Sequence, residues 1–469
     1  MVITPERRSS TLQIDPSVAL EARLLGTLIR PGDKEYDESR QVMNALIDRH
    51  PAYIVRAADA ADVIRAVEFA RAHDLPLAVR SGGHSVSGLS TVDDGLVVDL
   101  SQMKAISVDP VARTVWAQPG VTSAEMAAAT QPHGLALSTG DTASVALGGL
   151  TTGGGVGLLS RKFGLTIDSL RSVELVTADG RLIVADATQH PDLFWAIRGG
   201  GGNFGVVTAF EFDLRPVGMI LGGALIFPVS VDTIRGFADY ALNAPDELTT
   251  IGSIMPIPPL PMIPAELHGT PGFSILACYA GDQDEGQRVV APLRALAEPI
   301  VELIQPMPYP AIFELTEASS HRTPNTSRAG FLQALTDEVI DIVVGDALGG
   351  FDPFAMVQLR PLGGAIARTP NEATAFAHRD KPFFMAIANV GVERQSQRWV
   401  ERMWTLVEPH MSGAYANFIG DEGTGRVKEA YPGITYARLA DVKRRYDPTN
   451  LFKLNQNIEP ANAASVHRS

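Results

Sequence analysis

The sequence predicts an α+β fold in which a second region of the chain carries an antiparallel sheet flanked by helices. Before Pro216, helical patterns alternate with short apolar runs, whereas after Pro216 separated apolar runs are interleaved with helical segments. The 469 residues allow about three domains of roughly 150 residues each, or two large ones. With 45% hydrophobic residues, a mainly disordered chain is excluded.

In the first region, apolar residues at helical spacing predict a helix over residues 58–73. A hairpin is predicted where the runs 172–177 and 181–185 flank Asp179 and Gly180, since Asp-Gly tolerates the positive φ angles of a tight turn. The remaining predictions here are short strands at 77–79, 96–100, 114–117 and 204–214 and a helix at 123–131.

The second region is predicted to be a mainly antiparallel sheet with three helices. Its predicted strands are 220–227, 273–279, 354–359 and 383–390, and its predicted helices are 232–242, 285–297 and 396–411. One run in the first region, 142–160, has no charged residue, but six of its residues are glycine. It is therefore predicted to be a buried loop and not a membrane span.

Charge and cysteine content exclude several classes of partner. The chain has 39 Lys and Arg against 53 Asp and Glu, a net charge of −14, so neither nucleic acid nor a membrane surface is expected to bind. The single cysteine, Cys278, cannot form an intramolecular disulfide or a cysteine-based zinc site, and no metal is predicted. Because residues 1–13 are not followed by an apolar segment, no secretory signal is predicted and a cytoplasmic location is expected.

Glycine clusters mark the candidate functional segments. Gly82 and Gly83 precede His84 at the end of a predicted strand, where bare backbone amides can approach a pyrophosphate. The cluster at 148–157 is not a phosphate loop, since no Gly-Lys-Ser/Thr follows. It is also a poor dinucleotide fingerprint, because Leu158 stands at the last glycine position. A third cluster, 199–205, follows an aromatic pair and one arginine.

Five motifs in order carry a family resemblance: RSGGHSVSG, STGDTASVALGGLTTGGGVGLLSRKFGLTIDSL, DLFWAIRGGGGNFGVV, YANF and YDPTNLFKLNQNI. Together they resemble the FAD-linked oxidases of the vanillyl-alcohol oxidase superfamily, in the berberine bridge enzyme-like branch. The resemblance implies a PCMH-type FAD-binding domain from residues 1–216, closed by a C-terminal segment, 414–469, that returns to it. Residues 217–413 would form the substrate domain, whose antiparallel sheet covers the flavin ring.

The resemblance also implies that His84 is bonded covalently to the flavin. In the family, the histidine of the GGH motif is joined to the 8α-methyl carbon, and a neutral imidazole is a good nucleophile near pH 7. Many members add a second bond from a cysteine, whose position here is Thr142. A hydroxyl is far less nucleophilic than a thiol, and Cys278 lies in the other predicted domain, so one covalent link is expected.

Further cofactor contacts are carried over from the family onto matching positions. Backbone amides of the glycine loops would hold the pyrophosphate, Val207 would contact the adenine side through its main chain, and two asparagines of the tail would close over the ring. The implied set is Arg80, Ser81, Gly82, Gly83, His84, Ser85, Gly88, Gly140, Thr142, Gly148, Gly149, Thr152, Gly153, Gly157, Val207, Asn455 and Asn457.

For catalysis, the resemblance implies Tyr415 and Asn417. Tyr415 matches a tyrosine that serves as the base in several members, and Asn417 would bind the flavin or orient that tyrosine. The tyrosine could take a proton only if its pKa were lowered from about 10. Val86 and Val156 replace aromatic residues of sugar-oxidising relatives, which favours a hydrophobic or aromatic substrate. Additional candidate pocket residues, for each of which a solvated or structural role is favoured over substrate contact, are Tyr309, His321, Arg322 and His378.

The implied function is an FAD-dependent oxidase. It would transfer a hydride from a CH–OH or CH–NH carbon of a small aromatic or secondary-metabolite substrate to flavin N5, and molecular oxygen would be reduced to hydrogen peroxide. Two alternatives stay open at this point: a dehydrogenase that uses another electron acceptor, and a flavin-binding protein without turnover. Nothing in the sequence indicates an oligomeric state.

Overall fold

The computed structural model describes residues 15–350, 352–392 and 394–462. The segment 1–13, used above to predict the absence of a secretory signal, lies outside these residues. Within the described ranges, no helix combines the length and the apolar character needed to cross a bilayer. In the same ranges, no three His, Cys, Asp or Glu side chains come together as a metal site would require.

Strands in the first half of the chain form two main sheets and a small ribbon. A four-stranded sheet has the order β1-β2-β4-β3, with β4 parallel to both β2 and β3, and a five-stranded antiparallel sheet has the order β5-β6-β10-β8-β9. The ribbon pairs β7 with β11. The strands are β1 (Thr27–Ile29), β2 (Tyr53–Arg56), β3 (Leu77–Arg80), β4 (Leu96–Asp99), β5 (Ile106–Asp109), β6 (Thr114–Ala117), β7 (Leu135–Ala136), β8 (Leu170–Val176), β9 (Leu182–Asp186), β10 (Val206–Asp213) and β11 (Arg215–Pro216).

The second half of the chain builds one eight-stranded antiparallel sheet. Its order is β15-β12-β14-β13-β18-β19-β17, with β16 also paired to β12. One face packs on helices in the largest apolar core, which includes Phe237, Phe273 and Trp404. The strands are β12 (Met219–Pro228), β13 (Leu248–Pro256), β14 (Pro271–Tyr279), β15 (Val301–Glu302), β16 (Gln305–Pro308), β17 (Thr326–Leu332), β18 (Ala355–Pro361) and β19 (Phe383–Asn389).

Fourteen α-helices are described, several of them begun by a capping side chain. Thr122 and Glu125 form a capping box at the start of α4, and Ser230 caps α8. The helices are α1 (Pro16–Glu21), α2 (Tyr36–Ser39), α3 (Ala60–Ala72), α4 (Ser123–Thr130), α5 (Leu147–Gly153), α6 (Ser160–Phe163), α7 (Pro191–Ile197), α8 (Val231–Asn243), α9 (Gln283–Arg294), α10 (Asp337–Gly350), α11 (Ala365–Arg368), α12 (Arg394–Val407), α13 (Gly423–Ala430) and α14 (Ile434–Tyr446).

The architecture confirms the predicted α+β class and most of the predicted elements. The hairpin across Asp179 and Gly180 pairs Val176 with Leu182, as the turn chemistry requires. One prediction was wrong: the glycine-rich run at 142–160 is not a continuous loop, because it contains α5 and the start of α6. Tertiary packing overrides the low helix propensity of glycine at α5, whose Leu147 is fully buried.

The C-terminal segment packs against the third glycine cluster of the first half. Lys443 of α14 is fully buried and donates hydrogen bonds to the carbonyl of Asn203 and to the Asp447 carboxylate. The Asn203 side chain in turn donates to the carbonyl of Gln456 and accepts from the N–H of Ile458. These contacts bring the tail beside the sheets of residues 27–216.

Candidate active site

The first glycine loop follows β3 and lines a cavity of about 380 Å³. Arg80 ends the strand and turns its guanidinium onto the Asp99 carboxylate (2.7 Å), so that the charge is neutralised inside the protein. The N–H of Met43 donates to the carbonyl of Gly83 and fixes the loop. The cavity is lined by Ser81, Gly82 and Gly83 and, from the other side, by Gly120, Ser144 and Ala146.

His84 lies next to this cavity and reaches across to the second glycine-rich segment. Its Nε2 is 2.9 Å from the Oγ of Ser144. Burial lowers the pKa of the imidazole to about 4, although a hydrogen bond to the Ser144 backbone acts in the opposite direction. At neutral pH the ring is therefore uncharged and keeps a lone pair on one nitrogen.

Neither Thr142 nor Cys278 offers a second nucleophile. The Thr142 hydroxyl donates to the neighbouring Asp141 carboxylate (3.3 Å). Cys278 of β14 is completely buried in an apolar cluster, where burial raises the pKa of its thiol to about 12. A thiol that stays protonated is a poor nucleophile.

Helix α5 joins the two halves of the site. At its first turn, a Cβ on Gly148 would lie 2.1 Å from Ser81 Oγ, so only glycine allows this approach to the first loop. At its last residue, a Cβ on Gly153 would lie 2.0 Å from Asn417 Oδ1. The Thr152 hydroxyl bonds the carbonyl of Gly148 within the helix. A Cβ added to Gly149 would have no other atom within 4 Å.

Tyr415 and Asn417 hydrogen-bond to each other and to the backbone of α5 and the residues that follow it. The backbone N–H of Gly155 and the side-chain amide of Asn417 both donate to Tyr415 Oη, at 2.9 and 3.0 Å. The same amide donates to the carbonyl of Leu150 (3.2 Å). Burial nevertheless raises the pKa of Tyr415 to about 12, opposite to the direction expected for a base; the two donors and the charge of Arg360 act to lower it.

An apolar aromatic cluster surrounds Tyr415. Phe376, Phe384 and Phe418 have ring centroids 5.5, 5.9 and 5.5 Å from that of Tyr415. Val156 packs against the same cluster. The guanidinium of Arg360 lies 5.6 Å from the Phe418 ring and 2.6 Å from the Asp141 carboxylate, and that of Arg379 lies 5.9 Å from the Phe376 ring, so two cations border this cluster.

Buried polar atoms of the C-terminal tail and of the segment around α5 would fit a bound FAD. The Oδ1 atoms of Asn455 and Asn457 and the hydroxyls of Thr139 and Thr151 are buried, with no hydrogen-bond partner among the described residues. Buried polar atoms are normally paired, so these acceptors and hydroxyls suit the polar edges of a cofactor. Together with the bare backbone of the glycine loops and the neutral His84, they form a donor and acceptor set that matches FAD.

The other sequence-based candidates lie in different parts of the structure. Val207 pairs with Leu175 of β8, whereas pairing of β10 with β6 begins only at Phe210. Tyr309 and His378 are buried, and His378 Nε2 bonds the carbonyl of Glu429. Arg322 lines the cavity of the first loop. Sequence reasoning missed Ser144, Arg360 and the phenylalanines; of these, Ser144 and Phe418 lie inside motifs that carried the family resemblance.

Two family models match the chain. A model described as FAD binding domain matches residues 51–186, and one described as berberine and berberine like matches residues 414–459. The first covers the His84 loop and α5, and the second covers Tyr415, Asn417 and the tail asparagines. Both models agree with the family expected from the motifs.

Relatives and solved structures extend the match to nearly the whole chain. The uncharacterised FAD-linked oxidoreductase YgaK of Bacillus subtilis is 31% identical, covering 94% of this chain and 98% of its own. The (R)-6-hydroxynicotine oxidase of Paenarthrobacter nicotinovorans is 30% identical over 94% and 98%. The crystal structure of 6-hydroxy-D-nicotine oxidase from Arthrobacter nicotinovorans is 26% identical and superposes with a TM-score of 0.84, over 93% and 98% of the two chains. Wild-type BBE-like 1 of Physcomitrella patens, at 22% identity, 95% and 99% coverage and a TM-score of 0.85, shares the fold.

Substitutions at Gly148 and Gly149 test which side of α5 faces the cofactor. In a His84→Ala background, chosen so that FAD can be removed and titrated back, Gly148→Ala should lower the free energy of unfolding of the flavin-free protein by about 1–3 kcal/mol, because its Cβ overlaps Ser81. Gly149→Ala should leave that stability unchanged or slightly higher, but should weaken FAD binding. Denaturant unfolding and FAD titration measure the two effects. Unweakened FAD binding by Gly149→Ala would show that Gly149 does not face the cofactor.

Proposed function

The chain belongs to the family of FAD-linked oxidoreductases, and from that premise we propose that it is an oxidase of a small, largely apolar substrate, with O₂ as the electron acceptor. FAD, when bound, supplies the redox chemistry by accepting a hydride at N5. As an enzyme of this family, the chain is not a passive flavin carrier, so the open question concerns its substrate and acceptor.

The observation that carries the proposal is the position of Tyr415. Its hydroxyl accepts two hydrogen bonds, from the Gly155 N–H and from Asn417, inside a cluster of aromatic rings. Two donors aimed at one phenol oxygen stabilise that oxygen as its proton leaves. Tyr415 is thereby suited to orient a substrate O–H or N–H. Because burial raises its pKa to about 12, only the ionised form, whose share grows with pH, takes the substrate proton while hydride leaves the neighbouring carbon.

The surroundings of Tyr415 favour an aromatic or otherwise apolar substrate. Phe331, Phe376, Phe384 and Phe418 all lie around the tyrosine ring, and Val156 adds an aliphatic surface. Aromatic rings bind aromatic ligands through offset or edge contacts, and an apolar pocket excludes water from the reaction. The name of the nicotine-oxidising relative agrees with a substrate of this class, a CH–NH or CH–OH compound with an aromatic ring.

We further propose that FAD is attached through one covalent bond, to His84. The support is chemical: the imidazole is uncharged at neutral pH, whereas the Cys278 thiol is buried in its protonated form and Thr142 is a hydroxyl. Residues 1–216 and 414–469 would together hold the cofactor, and residues 217–413 would supply the sheet over the substrate. The hydrogen bond that Asn203 donates to Gln456 and the one that it accepts from Ile458 support this division of the chain.

Oxygen electrode and peroxide measurements distinguish the oxidase from a dehydrogenase. The purified protein is supplied with both enantiomers of 6-hydroxynicotine, a panel of aromatic alcohols, and oligosaccharides as polar competitors. We expect an aromatic compound to reduce the flavin and one H₂O₂ to form for each O₂ consumed. Flavin that is reduced by substrate, but reoxidised only by an added dye acceptor, would contradict the oxidase proposal and favour a dehydrogenase.

His84→Ala tests the attachment. Because the variant lacks the imidazole, its FAD should move to the supernatant on acid precipitation, whereas Cys278→Ala, the matched control, should keep its flavin in the pellet. The measurement is flavin absorbance in both fractions. Covalent flavin in the His84→Ala protein would exclude His84 as the attachment residue.

Tyr415→Phe tests the proton acceptor. Loss of the phenol oxygen should slow anaerobic flavin reduction by about 10²–10⁴-fold while FAD stays bound, the range expected for a general base. Since the pKa of Tyr415 is about 12, its deprotonated fraction rises with pH below that value, so the wild-type rate should increase with pH and the variant rate should not. Tyr240→Phe, on α8 and distant from the site, serves as the control. An unchanged rate in Tyr415→Phe would remove Tyr415 as the base.

A further inference from the structure

We propose that Ser144 is the positioning residue for flavin attachment: its hydroxyl holds the proton on Nε2 of His84 and so makes Nδ1 the nitrogen that bonds the flavin. The inference rests on the proposed attachment at His84. It adds to that proposal the residue that prepares the imidazole and the ring nitrogen that reacts.

The hydrogen bonds of His84 determine where its proton lies. Nε2 is 2.9 Å from Ser144 Oγ, a group that can donate or accept. When Oγ accepts, the hydrogen of the neutral ring lies on Nε2, the nitrogen that faces Ser144.

In the neutral ring, the position of the single hydrogen determines which nitrogen has a free lone pair. An uncharged imidazole has a single N–H, so a hydrogen on Nε2 leaves Nδ1 with a free lone pair. That lone pair is the nucleophile required for bond formation. Without Ser144 Oγ, the proton could shift to Nδ1 more readily, and the reactive tautomer would be less populated.

Ser144 is held in place from both sides. The N–H groups at the start of α4, of Ser123 and Ala124, donate to the carbonyls of Val145 and Ala143, the two neighbours of Ser144. On the His84 side, a Cβ on Gly82 would lie 3.3 Å from the Ser144 carbonyl oxygen and 3.0 Å from Ala146. The serine therefore sits on a segment fixed by α4 and packed closely against the His84 loop.

The serine hydroxyl can adapt to the change in hydrogen bonding that flavin attachment causes at Nε2. Nδ1 forms a bond to the 8α-methyl carbon of FAD, the methyl group and the imidazole each lose one hydrogen, and the electron pair passes to O₂, which becomes H₂O₂. After this step Nε2 has no hydrogen and accepts instead of donating. Ser144 Oγ can reverse its role by donating to Nε2.

The test compares Ser144→Ala, Ser144→Thr and Ser123→Ala in full-length protein produced without riboflavin and then incubated with FAD. Ser123→Ala is the matched control, because its hydroxyl bonds the carbonyl of Val145 in the same segment without touching the imidazole. We expect Ser144→Ala to bind FAD but to attach it about tenfold more slowly, the effect of one lost hydrogen bond. Ser144→Thr should restore the rate, and Ser123→Ala should attach FAD at the wild-type rate. Flavin fluorescence on denaturing gels gives the time course, and the visible spectrum gives the total bound FAD.

Attachment by Ser144→Ala at the wild-type rate, or an equal slowing in Ser123→Ala, would overturn the role of Ser144. A second measurement does not depend on how the variants fold: magnetic resonance of the histidyl-flavin isolated from the wild-type protein. A bond to Nδ1 supports the inference and a bond to Nε2 overturns it. Wild-type protein with only dissociable FAD would instead contradict the covalent attachment itself, so the two failures are distinguishable.

Discussion

The site depends on backbone that approaches other backbone and side chains too closely for any residue but glycine. A Cβ on Gly157 would lie 1.7 Å from the carbonyl oxygen of Thr139, and one on Gly155 would lie 2.1 Å from the Thr166 hydroxyl. These approaches bring the Gly155 N–H to the hydroxyl of Tyr415, a residue 260 positions away in the chain. A larger side chain at either glycine would push apart the segments that hold Tyr415.

The same close packing links the proposed attachment residue to the proposed base through α5. Gly148 at one end of the helix permits contact with Ser81 in the His84 loop, and Gly153 at the other end permits contact with Asn417. A seven-residue helix is about 10 Å long, so the two groups have a fixed separation. Under the proposed function, this helix would hold the His84 loop and the hydrogen-bonded Tyr415 at a set distance from each other.

The sequence predicted those helices and strands that are determined by residues close together in the chain. The helix α3, the strands β6 and β14 and the hairpin of β8 and β9 follow from periodicity and turn residues. The strands β13 and β17 and the helix α10 were missed. The segment of β13 ends in a proline-rich stretch, and its pairing with β14 and β18 comes from residues far along the chain. Such partners override weak local preferences.

For the candidate site too, the sequence predicted residues that lie in local motifs and missed partners that are distant in the chain. Glycine clusters and family motifs pointed to His84, Tyr415 and Asn417, but not to the partners that set their chemistry. Ser144 is 60 positions from His84, and Arg360 lies on a strand with no motif of its own. The expectation that a catalytic tyrosine needs a lowered pKa also ignored burial, which raises the pKa of Tyr415. Desolvation depends on everything packed around a group, so it becomes visible only in the folded chain.

The account is tested most directly by mass spectrometry of the wild-type protein after proteolysis. The central claim is that His84, uncharged and hydrogen-bonded to Ser144, is bonded covalently to FAD, and that no other residue is. The account predicts that the peptide containing His84 carries the mass of FAD less two hydrogens, and that the peptide containing Cys278 is unmodified. Flavin on another peptide, or an unmodified His84 peptide from protein that is yellow and folded, would contradict it.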